Sequence, residues 1–301
     1  MNGIIAIFSF FLIGAVLKKS GRIPEGFSQS LISFIVNVSL PALTLKVIHD
    51  LSLDSSLLFP MVVPLVVFAM SVILMLTLTR IIPMARETVG CLILLCGIGN
   101  TSIIGIPVID VFFGFDGYGA ALVVDQSNFL VMCIAGIITA GIFGSASSDP
   151  KSILKRIATY PSIQAMLLAV MLKPFEFPAW LGDLLLVLGK TLTPLAIIAL
   201  GASFKMELKK EVLGPFFLGV AIKLIVIPMF IIGMFYNWVP IGNIASKVAI
   251  IQSGMPPMIL AGLIAADNKM NPPLALSLVA LSIPLSFLTL FFWNRILGLL
   301  L

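Results

Sequence analysis

The sequence predicts an all-α polytopic membrane protein with ten transmembrane helices, arranged as two halves of five in an inverted repeat. Three observations lead to this fold class: the composition, ten separated apolar runs, and two matched interruptions. Of the 301 residues, 60% are hydrophobic and only 10% are charged, and the mean hydropathy is +1.18. A soluble domain is about half apolar and about a quarter charged. The bilayer must therefore act as part of the solvent for this chain.

The apolar runs give the positions of the predicted helices, because one membrane crossing needs about 20 mostly apolar residues. On that length we expect helices near residues 2–18, 27–49, 57–80, 88–113, 117–143, 157–174, 181–204, 212–237, 243–266 and 272–298. Connections are short except at residues 144–156, whose content of serine, aspartate, proline and lysine indicates a polar linker. The predicted organisation is a first repeat at 1–143, this linker, and a second repeat at 157–301.

Lysine and arginine residues in the predicted loops give the orientation. Twelve of the 18 basic residues fall in loops on the side of the linker, and four fall on the other side. Cytoplasmic loops carry the excess of positive charge in membrane proteins. We therefore expect the linker in the cytoplasm and both termini outside it.

Two pairs of prolines indicate the internal repeat. Pro24 precedes Pro41 by 17 residues, and Pro178 precedes Pro194 by 16. In each pair, the first proline stands at a short turn between helices, and the second lies past the middle of the span that follows. Because five is an odd number, the second half would enter the membrane from the opposite side. Inverted repeats of this kind are typical of secondary transporters.

The fourth and ninth predicted helices occupy matching positions in the two halves, and each is interrupted near its middle. The fourth contains the run Gly-Asn-Thr-Ser at 99–102, and the ninth contains the consecutive Pro256 and Pro257. Proline lacks a backbone N–H and disfavours the helical conformation of the residue before it. We expect unwound backbone in both, which is tolerated at membrane depth only where protein or a water-filled cavity satisfies it.

The half-helices that follow the breaks would point N–H groups and a positive dipole end into that cavity. Such an arrangement binds anions, and polar side chains at the breaks could orient a carboxylate. The predicted substrate-binding residues are Asn100, Thr101, Ser102, Gln252, Pro256, Pro257 and Lys190.

Ionisable residues inside the predicted spans form a second group, because a charge at the bilayer centre costs at least about 2.5 kcal/mol. Asp125, in the fifth span, is expected to carry a coupling proton or hold a coupling cation, with Gln126 and Asn128 extending the polar site. Lys190, in the seventh span, would attract an anionic substrate; a structural ion pair or a snorkelling lysine is the alternative. Lys223, in the eighth span, is expected to snorkel to the membrane surface.

The residues present disfavour several functional classes. The pI is near 9.2, but the basic residues are scattered between apolar runs rather than gathered on one face that could bind nucleic acid. Cys91, Cys96 and Cys133 lie in apolar spans at spacings that match no metal site, so neither a metal nor a cofactor is predicted. An enzyme would need a catalytic set at membrane depth. With one histidine, at a helix end, the chain is not predicted to be an enzyme.

The interrupted segments resemble those of the auxin efflux carrier family, which includes plant auxin exporters and bacterial carriers of small dicarboxylates. The similarity lies in Gly-Asn-Thr-Ser-Ile-Ile-Gly-Ile-Pro-Val at 99–108 and Gly-Met-Pro-Pro-Met-Ile-Leu-Ala at 254–261. Ser-Leu-Pro-Ala-Leu at 39–43 and Asn-Pro-Pro-Leu-Ala-Leu-Ser at 271–277 add to it.

The resemblance implies that the two broken helices cross near the membrane centre and that one domain carries the crossing in an elevator mechanism. The fold of this family is similar in plan to that of bile-acid sodium symporters. The asparagine of the family's first crossing maps onto Asn100, and its crossing prolines map onto Pro256 and Pro257. The long cytoplasmic loop of many plant exporters is absent here, which favours the bacterial type, in a bacterial inner membrane, over an auxin carrier.

These observations together predict a secondary active transporter of a small organic anion. The anion would be a mono- or dicarboxylate such as malate or malonate, or an auxin-like acid, carried by alternating access at the crossing. A proton at Asp125 or the membrane potential would supply the energy. A sodium-coupled organic-anion symporter of the bile-acid type and a channel remain as alternatives. Expected partners are the anion, a proton or sodium, and the lipid bilayer, without nucleic acid; a homodimer is left open.

Overall fold

The computed structural model describes residues 2–52, 54–144, 155, 158–203, 208–235 and 243–299. Over these residues the regular structure is helical, apart from one isolated antiparallel bridge between Gly99 and Pro257. The α-helices in chain order are α1 (Asn2–Lys19), α2 (Phe27–Phe34), α3 (Leu40–Asp50), α4 (Leu58–Leu78), α5 (Arg86–Gly97), α6 (Ile106–Phe113), α7 (Tyr118–Phe143), α8 (Pro161–Leu172), α9 (Ala179–Lys190), α10 (Leu192–Ser203), α11 (Leu213–Ala221), α12 (Ile227–Phe235), α13 (Ile244–Ser253), α14 (Ile259–Asp267) and α15 (Pro272–Leu299).

Helical residues occur in each of the ten predicted spans. Six continuous helical stretches in the described part of the chain are long and apolar enough to cross a membrane: Phe27–Asp50, Ser55–Leu78, Thr101–Phe143, Ala179–Ser203, Lys210–Phe235 and Pro272–Leu299. The fourth and ninth predicted spans are divided into shorter helices at their breaks. The number of crossings and the inverted topology therefore stay predictions.

In the described part of the chain, three one-turn π-helices interrupt the α-helices, at Ile35–Ser39, Thr101–Gly105 and Ile222–Val226. A π-turn inserts one extra residue and rotates the following helical face, and such turns are frequent at functional sites. The second of them follows the break in the fourth predicted span directly. The third contains Lys223.

The chain forms two compact units, the first of which comprises Met1–Asp54, Ser102–Leu122 and Arg156–Phe204. In this unit α1 and α10 approach backbone to backbone. A Cβ atom added at Gly14 would lie 2.1 Å from the carbonyl oxygen of Ile198, and one added at Gly201 would lie 2.1 Å from that of Phe11. Glycine at both crossing points allows this approach, as is common for helices packed in a membrane.

Hydroxyl groups join other helices of the first unit. Ser39, at the end of the first π-turn, is hydrogen-bonded to Thr191, which separates α9 from α10, with 2.8 Å between the two oxygens. The hydroxyl of Thr193 donates to the Asp110 carboxylate at 2.8 Å. Paired polar groups of this kind satisfy one another where water is scarce.

The second unit comprises Ser55–Thr101, Val123–Lys155 and Lys205–Leu301. Side chains bridge its helices through backbone carbonyls. The hydroxyl of Ser71 in α4 donates to the carbonyl of Ile93 in α5 at 2.8 Å, and the indole of Trp293 in α15 donates to the carbonyl of Leu224 at 2.8 Å. Both breaks of the predicted crossing lie in this unit.

Each unit takes segments from both predicted repeats. The units describe which residues pack together, whereas the predicted repeats at 1–143 and 157–301 describe order along the chain. The repeat boundaries therefore stay a prediction. Most of the predicted linker at 144–156 lies outside the described residues.

Candidate binding site at two helix breaks

Glycine, asparagine and proline residues end two helices of the second unit inside its core. Helix α5 ends at Gly97, and the chain is extended at Ile98 before it turns helical again at Thr101. Helix α13 ends at Ser253, and α14 begins at Ile259. The sequence interval between these two helices contains both prolines of the predicted ninth span.

The two breaks contact each other through an antiparallel bridge. The backbone N–H of Asn100 donates to the carbonyl of Pro256 at 2.8 Å, and the N–H of Met258 donates to the carbonyl of Ile98 at 3.1 Å. These two bonds satisfy backbone groups that neither helix could satisfy internally, as membrane depth requires. Residues 156 and 160 positions apart in the sequence are thereby held at one place.

A buried polar chain follows the first break. The hydroxyl of Thr101 donates to the carboxylate of Asp125 at 2.6 Å. The side-chain amide of Asn128, one turn later on α7, donates to the carbonyl of Gly99 at 2.8 Å and to the hydroxyl of Thr101 at 3.2 Å. Gln126 lies beside Asp125, with 3.5 Å from its amide nitrogen to the other carboxylate oxygen.

The second break lacks two backbone donors because of its prolines. In a continuous helix the N–H groups of residues 256 and 257 would bond to the carbonyls of Gln252 and Ser253, four residues earlier. The N–H of Met255 bonds to the Gln252 carbonyl at 3.2 Å. The Ser253 carbonyl accepts a hydrogen bond from the side-chain nitrogen of Lys223, at 3.2 Å.

Lys223 is therefore an interior residue of the second unit, and the prediction that it snorkels is wrong. Its exposed fraction is 1%. A Cβ atom added at Gly99 would lie 3.5 Å from its nitrogen, so this nitrogen adjoins the first break as well as the second. The double proline could have indicated this, since it leaves a carbonyl that needs a donor from elsewhere.

A small pocket of about 10 Å³, room for about one water molecule, opens beside the bridge. One wall is apolar and the other is polar. Val63, Pro64, Val67 and Val124 line the first, and Gly99, Thr101, Asn128, Lys223, Gln252 and Ser253 line the second.

Most of the predicted site residues lie together in the second unit and are buried. These are Asn100, Thr101, Gln252, Pro256 and Pro257 at the breaks, and Asp125, Gln126 and Asn128 on α7. Ser102 is buried too, but it begins a segment of the first unit. Lys190 also belongs to the first unit, where it is the exposed last residue of α9. Its predicted contact with substrate stays a prediction.

The chemistry of this arrangement is that of a polar site in an apolar unit. It offers one amino group, amide and hydroxyl donors, one carboxylate, and the start of α14, where no side chain caps the first turn. Free N–H groups at a helix start attract negative charge. The carboxylate and the amino group make the site able to bind an ion of either sign.

Comparisons with known proteins identify the family of this chain. The sequence profile of one protein family, described as membrane transport protein, matches residues 1–148 and 147–294. An uncharacterized transporter of Methanothermobacter thermautotrophicus is 24% identical over 297 residues, which are 98% of this chain and 97% of the relative. An uncharacterized transporter of Methanocaldococcus jannaschii is 24% identical over an alignment of 310 positions that covers 99% of this chain and 98% of the relative.

Both relatives come from archaea, so the bacterial type and the bacterial inner membrane stay predictions. The family match covers nearly the whole chain, and the apolar helices agree with an integral membrane protein. The resemblance seen at the two interrupted segments is confirmed: this chain is an integral membrane protein that belongs to the membrane transport protein family, the family of the auxin efflux carriers.

Proposed function

We propose that this protein is a secondary active transporter of a small organic anion, with its binding site at the two joined helix breaks. The anion would be a mono- or dicarboxylate. The observation that carries the proposal is the bridge between Asn100 and Pro256, because it gathers two unwound backbones and several buried polar side chains in one place. Broken helices at membrane depth are typical of transporter binding sites.

Burial gives the second argument. Asp125, Gln126 and Asn128 are each exposed by 3% or less. Polar groups removed from water cost free energy unless they are paired or used. A network of this size in an otherwise apolar unit is better explained by a ligand that enters and leaves than by stability alone.

The proposed mechanism is alternating access: the site would open to one face of the membrane and then to the other. Donors at Asn100 and Thr101 and the start of α14 would bind the carboxylate. Asp125 would gain or lose a proton during the cycle, since its neighbour Thr101 can donate to the carboxylate in one state and accept from the acid in the other. The proposal assigns no catalytic role to the chain.

A thermal-shift screen tests whether the site binds such a ligand. A ligand that binds only the folded state raises the apparent stability in proportion to RT ln(1 + [L]/Kd). Purified full-length protein would be heated with mono- and dicarboxylates of increasing length, malate and malonate among them, and with matched neutral amides. A saturable rise in Tm with one or more acids and none with their amides is expected. No rise with any acid would contradict an organic-anion site.

A further inference from the structure

The side chain of Lys223 lies against the carboxyl end of an interrupted helix, a kind of position at which transporters can bind a cation. In such proteins, unwound carbonyls and the carboxyl ends of half-helices coordinate the coupling sodium or proton. Helix α13 ends in this way at Ser253, inside the second unit. The group that its last carbonyl contacts is the nitrogen of Lys223.

We propose that the ammonium group of Lys223 is a built-in cation that fills this position, so that the protein neither needs nor binds sodium there. Three features of the second unit support the assignment. The double proline lacks backbone N–H donors, the amino group of Lys223 lies between the two breaks, and no carboxylate among the described residues neutralises its charge.

The double proline creates the need for a cation or a donor. Pro257 has no N–H for the carbonyl of Ser253, and this carbonyl lies at the negative end of the α13 dipole. An unsatisfied carbonyl in an apolar interior is unfavourable. Lys223 supplies the missing hydrogen bond from another helix segment.

The π-turn at Ile222–Val226 brings Lys223 to that carbonyl. The amino group lies next to Gly99, which has no side chain, and a Cβ atom there would come within 3.6 Å of the Gln252 carbonyl as well. The ammonium is therefore bordered by backbone from both breaks. That is the environment expected of a bound monovalent cation.

The third feature is the positive charge of Lys223. Among the residues that the structure describes, no carboxylate lies within ion-pair distance of Lys223. A buried ammonium with no acidic partner must be stabilised by dipoles and carbonyl oxygens, as a metal cation would be. The lysine thus has the surroundings of an ion site rather than those of a salt bridge.

What Lys223 implies for sodium coupling rests on the proposed transport function. That its ammonium group fills the cation position at the end of α13 does not. If the ammonium is fixed in place, substrate movement does not depend on sodium. The bile-acid type of sodium coupling is then disfavoured, and a proton or the membrane potential remains.

The test is thermal unfolding of the purified full-length protein in chlorides of sodium, potassium and choline at equal ionic strength. Wild type should have the same Tm in all three. Lys223→Met, which keeps the length but removes charge and donor, should melt roughly 5 °C lower in choline chloride. Sodium or potassium should restore part of this loss saturably, because the vacated carbonyls can accept them. Lys247→Met, a half-buried lysine of α13, is the matched control and should show no difference between salts.

Three results would overturn the inference. A saturable sodium-dependent rise in the Tm of wild type would mean that the site is open to sodium. A Lys223→Met protein as stable as wild type, or one destabilised equally in all three salts, would mean that the lysine does not replace a cation. Should Lys223→Met fail to fold, Lys223→Gln keeps a donor without the charge. The Gln variant should also respond to sodium, and stability equal to wild type in choline would overturn the inference.

A separate uptake assay distinguishes the two proposals. If no carboxylate is transported, the proposed function fails while the result on cation occupancy stands. If wild type transports a carboxylate in strict dependence on sodium, the carrier stands and the built-in cation is contradicted.

Discussion

The amino group of Lys223 donates a 3.2 Å hydrogen bond to the carbonyl oxygen of Ser253, which Pro257 leaves without its helical donor. At the first break a side-chain amide has the same role, since Asn128 donates to the carbonyl of Gly99 at 2.8 Å. Each break is thus completed by a polar side chain from a neighbouring helix. The polar interior of the second unit follows from the need of these two carbonyl oxygens for a donor and from the bridge between the breaks.

Asn100 offers the first test of the proposed site. Its backbone N–H forms the bridge and would be kept in Asn100→Ala, while its side-chain amide would be lost. We expect a folded, monodisperse protein whose Tm no longer rises with the carboxylate that stabilises wild type. Asn37→Ala, which removes an exposed amide at the first π-turn, is the control and should keep the ligand response. Unchanged affinity of Asn100→Ala would remove Asn100 from the site.

The break positions and most of the site residues could be predicted from sequence because glycine, asparagine and consecutive prolines act locally on the backbone. The position of Lys223 could not, because its surroundings depend on helix geometry that the sequence does not reveal. Lys223 lies on a π-turn, which changes the face that a regular helix would present. Lys190 is the last residue of α9 within the continuous helical stretch Ala179–Ser203, and its predicted contact with substrate stays a prediction.

Asp125 offers a test of proton coupling. Asp125→Asn keeps an oxygen that can accept the hydrogen bond from Thr101, but it cannot change protonation. Transport by this variant should lose the pH dependence found in wild type. Asp110→Asn, which changes a carboxylate bonded to Thr193 in the first unit, should keep that dependence. A pH profile of Asp125→Asn that matches wild type would end the proposed role of this residue.

Thr101 should matter through its hydroxyl group, which donates to Asp125 and accepts from Asn128. Thr101→Val removes both bonds at nearly constant volume, whereas Thr101→Ser can keep both. We expect uptake by the valine variant to fall about thirtyfold, since each of the two lost hydrogen bonds costs roughly 1 kcal/mol and about 1.4 kcal/mol corresponds to a factor of ten in rate. The serine variant should stay within about twofold of wild type. Equal rates for the two variants would show that the hydroxyl has no part in transport.

The contact between α1 and α10 can be tested in the same protein without touching the site. Gly201→Ala would bring a methyl group against the backbone carbonyl of Phe11, which cannot move aside as a side chain can. The expected destabilisation is about 1–3 kcal/mol, measured as a lower Tm. Gly233→Ala in α12 is the matched control, because no atom beyond its chain neighbours and the adjacent backbone of its own helix lies within 4 Å of the added carbon. Its Tm should stay the same or rise slightly, as expected for alanine in a helix. If both variants melt together, the close approach of α1 and α10 is contradicted.

We propose that this protein carries an organic anion across the membrane at the two joined breaks. The most direct measurement is counterflow in proteoliposomes, with unlabelled carboxylate inside and a trace of the same labelled acid outside. We expect saturable uptake, stimulated by internal acid, that is lost in Asn100→Ala and kept in Asn37→Ala. Uptake no greater than in protein-free liposomes, or a flux that rises linearly without saturation and without stimulation by internal acid, would contradict it.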